Sequence, residues 1–308
     1  GLARAGDGTM WAGSCDRGLL RFDGQSFVPV AGPELRVHNI WPAHRGGLWV
    51  AAKPGGLSHF DGVQVRPVLP ELPTCAGPVS PRGCAHEVLG IAEIGTALWL
   101  GLRDGTAYLV ESERVVRRVG REQGMPESGL TTLVGDDDGT VWLGSPGGGI
   151  GRLRGDRAVF VPAEDALPTS VYGIASDGAG HLWLSSNDGV YRVSRRALHE
   201  RLDGRGGPVT AAHFQIEHGM ESVRCARDFV SPILRRRDGR IAVPTVTGVS
   251  TFDSREPERL PPQHVSIDAV WRDGQRLERD GTDGRLVTAR GAGRLRVQVS
   301  APTLYAPT

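Results

Sequence analysis

A tryptophan bracketed by apolar residues recurs along this chain, and its spacing restricts the fold more than any other feature. It occurs in Asp7-Gly8-Thr9-Met10-Trp11-Ala12-Gly13, in Arg45-Gly46-Gly47-Leu48-Trp49-Val50-Ala51 and in Thr96-Ala97-Leu98-Trp99-Leu100-Gly101. It returns in Asp138-Gly139-Thr140-Val141-Trp142-Leu143-Gly144 and in Gly180-His181-Leu182-Trp183-Leu184-Ser185. The successive tryptophans are 38, 50, 43 and 41 residues apart. A sixth copy, Asp238-Gly239-Arg240-Ile241-Ala242-Val243-Pro244, lacks the ring. A period of about 40–45 residues is that of a four-stranded propeller blade.

What surrounds each tryptophan supports four strands per repeat. An apolar strand precedes it, as in Val37 to Ala43, Val88 to Glu93, Leu130 to Val134 and Val171 to Ser176. An Asp-Gly-type turn follows, then the tryptophan strand, then a glycine and another alternating strand. Gly18-Leu19-Leu20-Arg21-Phe22 and Gly56-Leu57-Ser58-His59-Phe60 are examples of that third strand. Asp-Gly pairs at Asp23-Gly24 and Asp61-Gly62 then lead into a fourth. The 44 glycines fit many short strands joined by turns that need positive φ. The only helix candidate is short, around Arg195 to Arg201. The reading is therefore an all-β β-propeller with six visible repeats. Its tryptophans fill the space between neighbouring sheets, as large buried rings do.

Composition narrows the function. A net charge of +1 gives no basic field for nucleic acid, and the clusters Arg117-Arg118 and Arg235-Arg236-Arg237 sit beside turns or acidic residues. No apolar run of about 18 residues is present, so no membrane contact is expected of this segment. Cys75 and Cys84 bracket a Pro/Gly-rich insert that a disulfide would pin, a pairing the sequence leaves open; Cys15 and Cys225 read as buried thiols. No paired spacing points to zinc, and neither cofactor nor metal is expected. Gly147-Gly148-Gly149 and Asp136-Asp137-Asp138-Gly139 read as turns. No nucleophile–base motif stands out, so the chain is not expected to be an enzyme.

In a propeller the innermost strands begin at the central channel, on the face that carries the turns between second and third strands. Residues there vary among the repeats while packing residues recur, which separates binding surface from scaffold. The strand-start candidates are His38, Asn39, His86, Glu87, Thr131, Tyr172, Arg227 and Asp228. The turns add Arg17, Lys53, Arg103 and Asn187. This mixture of cationic, amide, hydroxyl and aromatic groups suits a small polar ligand, a carbohydrate or an anion.

The Asp-Gly-x-φ-Trp-φ-Gly…Gly-Leu-x-x-Phe repeat from Asp7 to Asp253 resembles the two-component regulator propeller repeat. That repeat occurs in extracytoplasmic sensor regions of bacterial transmembrane histidine kinases, hybrid two-component systems and diguanylate cyclases. Glu217-His218-Gly219-Met220-Glu221-Ser222 and the blade from Asp238 to Phe252 resemble the closing blade of those sensors. Pro261-Pro262-Gln263-His264-Val265, Arg272-Asp273-Gly274-Gln275 and Leu295 to Val299 resemble the β-sandwich that follows such propellers. The resemblance implies seven blades, a propeller over residues 1–257 and an incomplete Ig-like β-sandwich over 258–308. It also implies a periplasmic ligand sensor that signals to a downstream domain of the same parent chain, and it is compatible with a homodimer. A second reading is a metal-dependent propeller lyase resembling the streptogramin-lyase type, which His86 and Glu87 would serve.

Overall fold

Asp-Gly turns set the hairpins from which the sheets are built. In a computed structural model that describes residues 1–32, 34–53, 56–69, 72, 86–226, 233–255, 266–277 and 293–300, the turn aspartates cap their own loops. Asp7 accepts the Thr9 N–H at 2.8 Å, Asp138 the Thr140 N–H at 2.9 Å and Asp238 the Arg240 N–H at 3.1 Å. The glycines that follow, Gly8, Gly139 and Gly239, hold φ between 81° and 92°, where a side chain would strain.

The strands form successive antiparallel sheets. The first holds β1 (Leu2–Arg4), β2 (Met10–Ser14), β3 (Gly18–Phe22) and β4 (Phe27–Ala31). The second holds β5 (Arg36–Pro42), β6 (Leu48–Lys53), β7 (Leu57–Phe60) and β8 (Val65–Leu69). The third holds β9 (Val88–Ile94), β10 (Ala97–Leu102), β11 (Ala107–Glu111) and β12 (Arg114–Val119). The fourth holds β13 (Thr132–Gly135), β14 (Val141–Ser145), β15 (Gly149–Arg154) and β16 (Arg157–Phe160). The fifth holds β17 (Gly173–Ser176), β18 (His181–Ser185), β19 (Val190–Ser194) and, after α1 (Arg195–Leu202), β20 (Ala211–Phe214). The sixth holds β21 (Leu234–Arg235), β22 (Ile241–Pro244) and β23 (Val249–Phe252). Helix α1 starts where expected, with Ser194 accepting the Ala197 N–H as its N-cap.

Inner strands of successive sheets touch: β1 meets β5, β5 meets β9, β9 meets β13, β13 meets β17 and β17 meets β21. The recurring indoles lie between these sheets. Trp11 packs edge-on against Phe60 of the second sheet, with ring centroids 4.9 Å apart. Trp49 packs with Leu98, Leu100 and Val110 of the third, and Trp99 with Leu133, Val141 and Leu153 of the fourth. Trp142 sits among Ile174, Leu182 and Val193 of the fifth, and Trp183 among Ile233, Ile241 and Val243 of the sixth. Sheets joined in sequence through their inner strands, with one large ring between each pair, are the architecture of a β-propeller.

Close approach of the inner strands demands small residues. Gly90 in β9 has no positive φ, yet a Cβ there would stand 2.4 Å from the Leu133 backbone nitrogen of β13. Gly90→Ala should therefore wedge the third and fourth sheets apart. We expect a loss of about 1–3 kcal/mol, read as a lower thermal midpoint. An unchanged midpoint would mean that the two strands do not approach so closely.

Residues Gly1–Arg255 form one compact unit and Glu256–Thr308 a second. In the second unit β24 (Ser266–Arg272), β25 (Gln275–Leu277) and β26 (Leu295–Ser300) make an antiparallel sheet in the order β25-β24-β26. Asp273 and Gly274, both at positive φ, form the tight turn of its hairpin. The Arg296 guanidinium lies over the Trp271 ring at 5.3 Å.

Candidate functional site

At the face where inner strands begin, two neighbouring sheets contribute to one array of side chains. β5 carries His38, the segment entering β9 carries Glu87, and the turn leaving β10 carries Arg103. His38 Nδ1 lies 3.2 Å from Glu87 Oε1. Arg103 grips the other carboxylate oxygen from Nε at 3.1 Å and from a terminal nitrogen at 2.8 Å. The backbone reinforces this, since Arg103 N–H donates to the Glu87 carbonyl and Leu130 N–H to the Arg103 carbonyl. Burial alone would push the Glu87 carboxyl up; the hydrogen bonds and charges of His38 and Arg103 outweigh it and hold the group below its usual range. A carboxylate only accepts, so Nδ1 of His38 carries a hydrogen; in the neutral ring the lone pair is then on Nε2.

Cys15 extends the array into the first sheet. It follows β2 and places Sγ 3.7 Å from His38 Nε2 and 3.9 Å from Nδ1. As an isolated cysteine Cys15 is expected to be buried; it is half-buried, beside an imidazole and the Val37 carbonyl. Cys225, by contrast, is buried, and burial pushes its thiol up to about 11.

The other strand-start candidates divide into two groups. His86 Nδ1 stands 3.4 Å from Asp104 Oδ2, beside Glu87 and Arg103. Arg17 is exposed on the turn after Cys15, and Asn187 accepts a bond from Ser186 Oγ at 3.0 Å. Asn39, Thr131 and Tyr172 hold the scaffold together. Asn39 is buried and donates from Nδ2 to the Val88 carbonyl of the next sheet at 2.9 Å. Thr131 donates from its hydroxyl to the Val171 carbonyl, again one sheet on. Tyr172 is buried with Trp183 and Ile233. Arg227, Asp228, Cys75, Cys84 and the side chain of Lys53 lie outside the described residues.

A second polar site, absent from the sequence reading, sits beside α1. Arg152 of β15 donates to His199 Nδ1 at 2.8 Å and also bonds Asp203. Because arginine only donates, His199 Nε2 must carry the hydrogen that meets Asp138 Oδ2 at 3.2 Å. Asp203 also receives Arg205 at 2.7 Å. The bonds from Arg152 and then Arg205 outweigh desolvation and lower its carboxyl to about 2. These residues line an open cleft of about 460 Å³ with Trp99 and Arg154. Residues 152 and 203 belong to different repeats, and neither repeat alone signals the pairing.

Among the described residues no three His, Cys, Asp or Glu side chains converge as metal ligands, and no helix is long and apolar enough to cross a membrane. Glu87 is engaged by His38 and Arg103, and His86 lies against Asp104.

No known family model matches the chain, and no curated protein matches it. Solved structures do. The extracellular domain of the hybrid two-component system BT3049 of B. thetaiotaomicron aligns with a TM-score of 0.64 at 15% identity, over 92% of this chain and 37% of that one. PorZ, a bacterial surface component of the type-IX secretion system of Porphyromonas gingivalis, aligns with a TM-score of 0.56 at 18% identity, over 99% of this chain and 50% of that one. Virginiamycin B lyase from Staphylococcus aureus, with quinupristin, aligns with a TM-score of 0.54 at 15% identity, over 81% of this chain and 76% of that one. The chain thus spans about a third to a half of the first two proteins. At these identities the likeness is one of fold, and it agrees with the six successive sheets: the chain is an all-β propeller.

Proposed function

We propose that this propeller is the ligand-sensing part of an extracytoplasmic region of a bacterial transmembrane signalling protein of the two-component regulator type. Its periplasmic channel mouth binds a small polar ligand, a carbohydrate or an anion. The ligand state passes through the C-terminal strands to a downstream histidine kinase or diguanylate cyclase domain. One observation carries the reading: the indoles between sheets recur, whereas the mouth gathers a half-buried, unrepeated array from two neighbouring sheets, His38, Glu87 and Arg103. The fold-level likeness to a two-component extracellular domain supports it. The likeness to a lyase is the reason to test catalysis as well.

The test is a thermal-shift screen of the chain against uronate-bearing and neutral oligosaccharides and inorganic anions. A bound member at a hundredfold excess over its Kd should add about 2.7 kcal/mol, a shift of several degrees. Arg103→Gln should abolish that shift while leaving the unliganded midpoint within a few degrees. No shift with any member, together with divalent-metal-dependent opening of quinupristin, would overturn sensing in favour of the lyase.

A further inference from the structure

The cleft beside α1 lies at the opposite end of the strands from the channel mouth. It is lined by the β13–β14 turn at Asp138-Gly139-Thr140 and by the β15–β16 turn at Arg154-Gly155. The mouth is built instead from inner-strand starts and from turns between second and third strands, which antiparallel pairing puts at the other end of each sheet. In the cleft three arginines meet one carboxylate. Arg152 is more than nine-tenths buried and spends its terminal nitrogens on His199 and Asp203. The other two are open to solvent, with side-chain exposures of 78% for Arg154 and 70% for Arg205. Arg205 donates one hydrogen bond to Asp203; Arg154 stands 3.7 Å from the same carboxylate, too far for a hydrogen bond. A guanidinium carries five N–H donors, so most donors of this pair are unused among the described residues. Asp138, the second carboxylate of the cleft, is engaged by His199.

Trp99 departs from the other indoles in the same direction. Trp142 and Trp183 each donate from Nε1 to the aspartate six positions earlier, Asp136 and Asp177. At Trp99 that position is Glu93, which accepts the His44 N–H instead. Trp99 Nε1 has no acceptor among the described residues, and its ring lines the cleft.

We propose that this cleft is a second binding site, for a phosphate group, free or carried as the monoester of a small polyol. Its unused donors come from β10, from the end of β15 and from the segment after α1. A carboxylate offers two coplanar oxygens to such a set, whereas a phosphate monoester offers three in a tetrahedral array and nearly two negative charges. The three guanidiniums outnumber the two carboxylates that line the cleft. A volume of about 460 Å³ exceeds what the oxyanion fills and leaves room for a sugar-sized remainder against the Trp99 ring. Seated between Arg154 and Arg205, the phosphate ties the fourth sheet to the helical connection of the fifth. The proposal stands on the cleft alone and holds whether or not the mouth binds an oligosaccharide.

The test is a thermal-shift titration of the chain, in phosphate-free buffer of low ionic strength, with inorganic phosphate and with glucose 6-phosphate. Both probes should raise the midpoint, and the tighter one identifies the source as a free anion or an ester. Arg154→Gln and Arg205→Gln should each weaken binding about tenfold. Both side chains are exposed, so the unliganded midpoint should hold. Arg196→Gln removes the same charge from an exposed position on α1 outside the cleft and should leave the Kd unchanged. Arg103→Gln, which removes binding at the mouth, should also leave it unchanged, so the two sites fail separately. No shift with either probe would overturn the proposal. So would equal weakening by Arg196→Gln and Arg205→Gln, the mark of a general charge effect, or a loss in Arg103→Gln that neither cleft variant reproduces.

Discussion

Trp142→Ala should cost roughly 3–5 kcal/mol and lower the thermal midpoint by about 10 °C. The indole is fully buried between the fourth and fifth sheets. Its Nε1 donates to Asp136 Oδ2 at 3.0 Å, and the other oxygen of Asp136 binds Arg195 of α1 at 2.9 Å. Removing the ring therefore opens a large cavity and also takes one donor from a buried carboxylate. Trp142→Phe restores much of the volume and should recover about half of the loss, the remainder being the missing donor. A midpoint within a degree or two of wild type for the alanine variant would show that the ring does not fill an inter-sheet core.

Asp177 should govern a comparable share of stability, and in a pH-dependent way. Its side chain is completely buried. One oxygen accepts the Ala179 and His181 N–H groups at 2.7 and 3.0 Å, and the other accepts Trp183 Nε1 at 3.4 Å. Arg192 stands 3.9 Å away. Asp177→Ala leaves these donors buried without their acceptor, a loss of about 3–5 kcal/mol at neutral pH. Burial pushes the carboxyl up, but the backbone bonds from His181 and Ala179 outweigh it and hold the group below its ordinary value. Since the unfolded chain then takes up the proton first, the contribution is complete above the unfolded value near pH 4 and is lost as pH falls below it. Chemical denaturation at pH 7 and stepwise down to pH 2.5 or so should show the gap between wild type and Asp177→Ala shrinking with acid. A gap that stays constant over that range would show that the carboxylate's charge is not what stabilises the fold.

Much of the scaffold is legible in the sequence because it repeats. The rhythm from Trp11 to Trp183 locates the second strand of the first five sheets, and the Asp-Gly pairs locate the turns, since their geometry is local. The fifth sheet is harder: α1 intervenes before β20, so its closing strand lacks the usual spacing from β19. The site is legible only as positions. Strand alternation puts His38, Glu87 and Arg103 at the mouth, but not in contact, because residues 49 apart meet through the packing of two sheets. The same limit hides what the residue types do in the scaffold. Asn39 and Thr131 look like ligand groups, yet each ties its strand to a carbonyl of the next sheet. Cys15 looks like an isolated thiol, and only the approach of β5 reveals its imidazole.

Hydrogen–deuterium exchange, with and without the oligosaccharide or anion that gives the largest thermal shift, tests the central claim most directly. Slowed exchange should fall on 14–18, 36–39, 86–88 and 102–106, the segments that meet around His38, Glu87 and Arg103. Slowed exchange restricted to 152–155 and 199–205, beside the arginine-lined cleft next to α1, would contradict a ligand seat at the channel mouth.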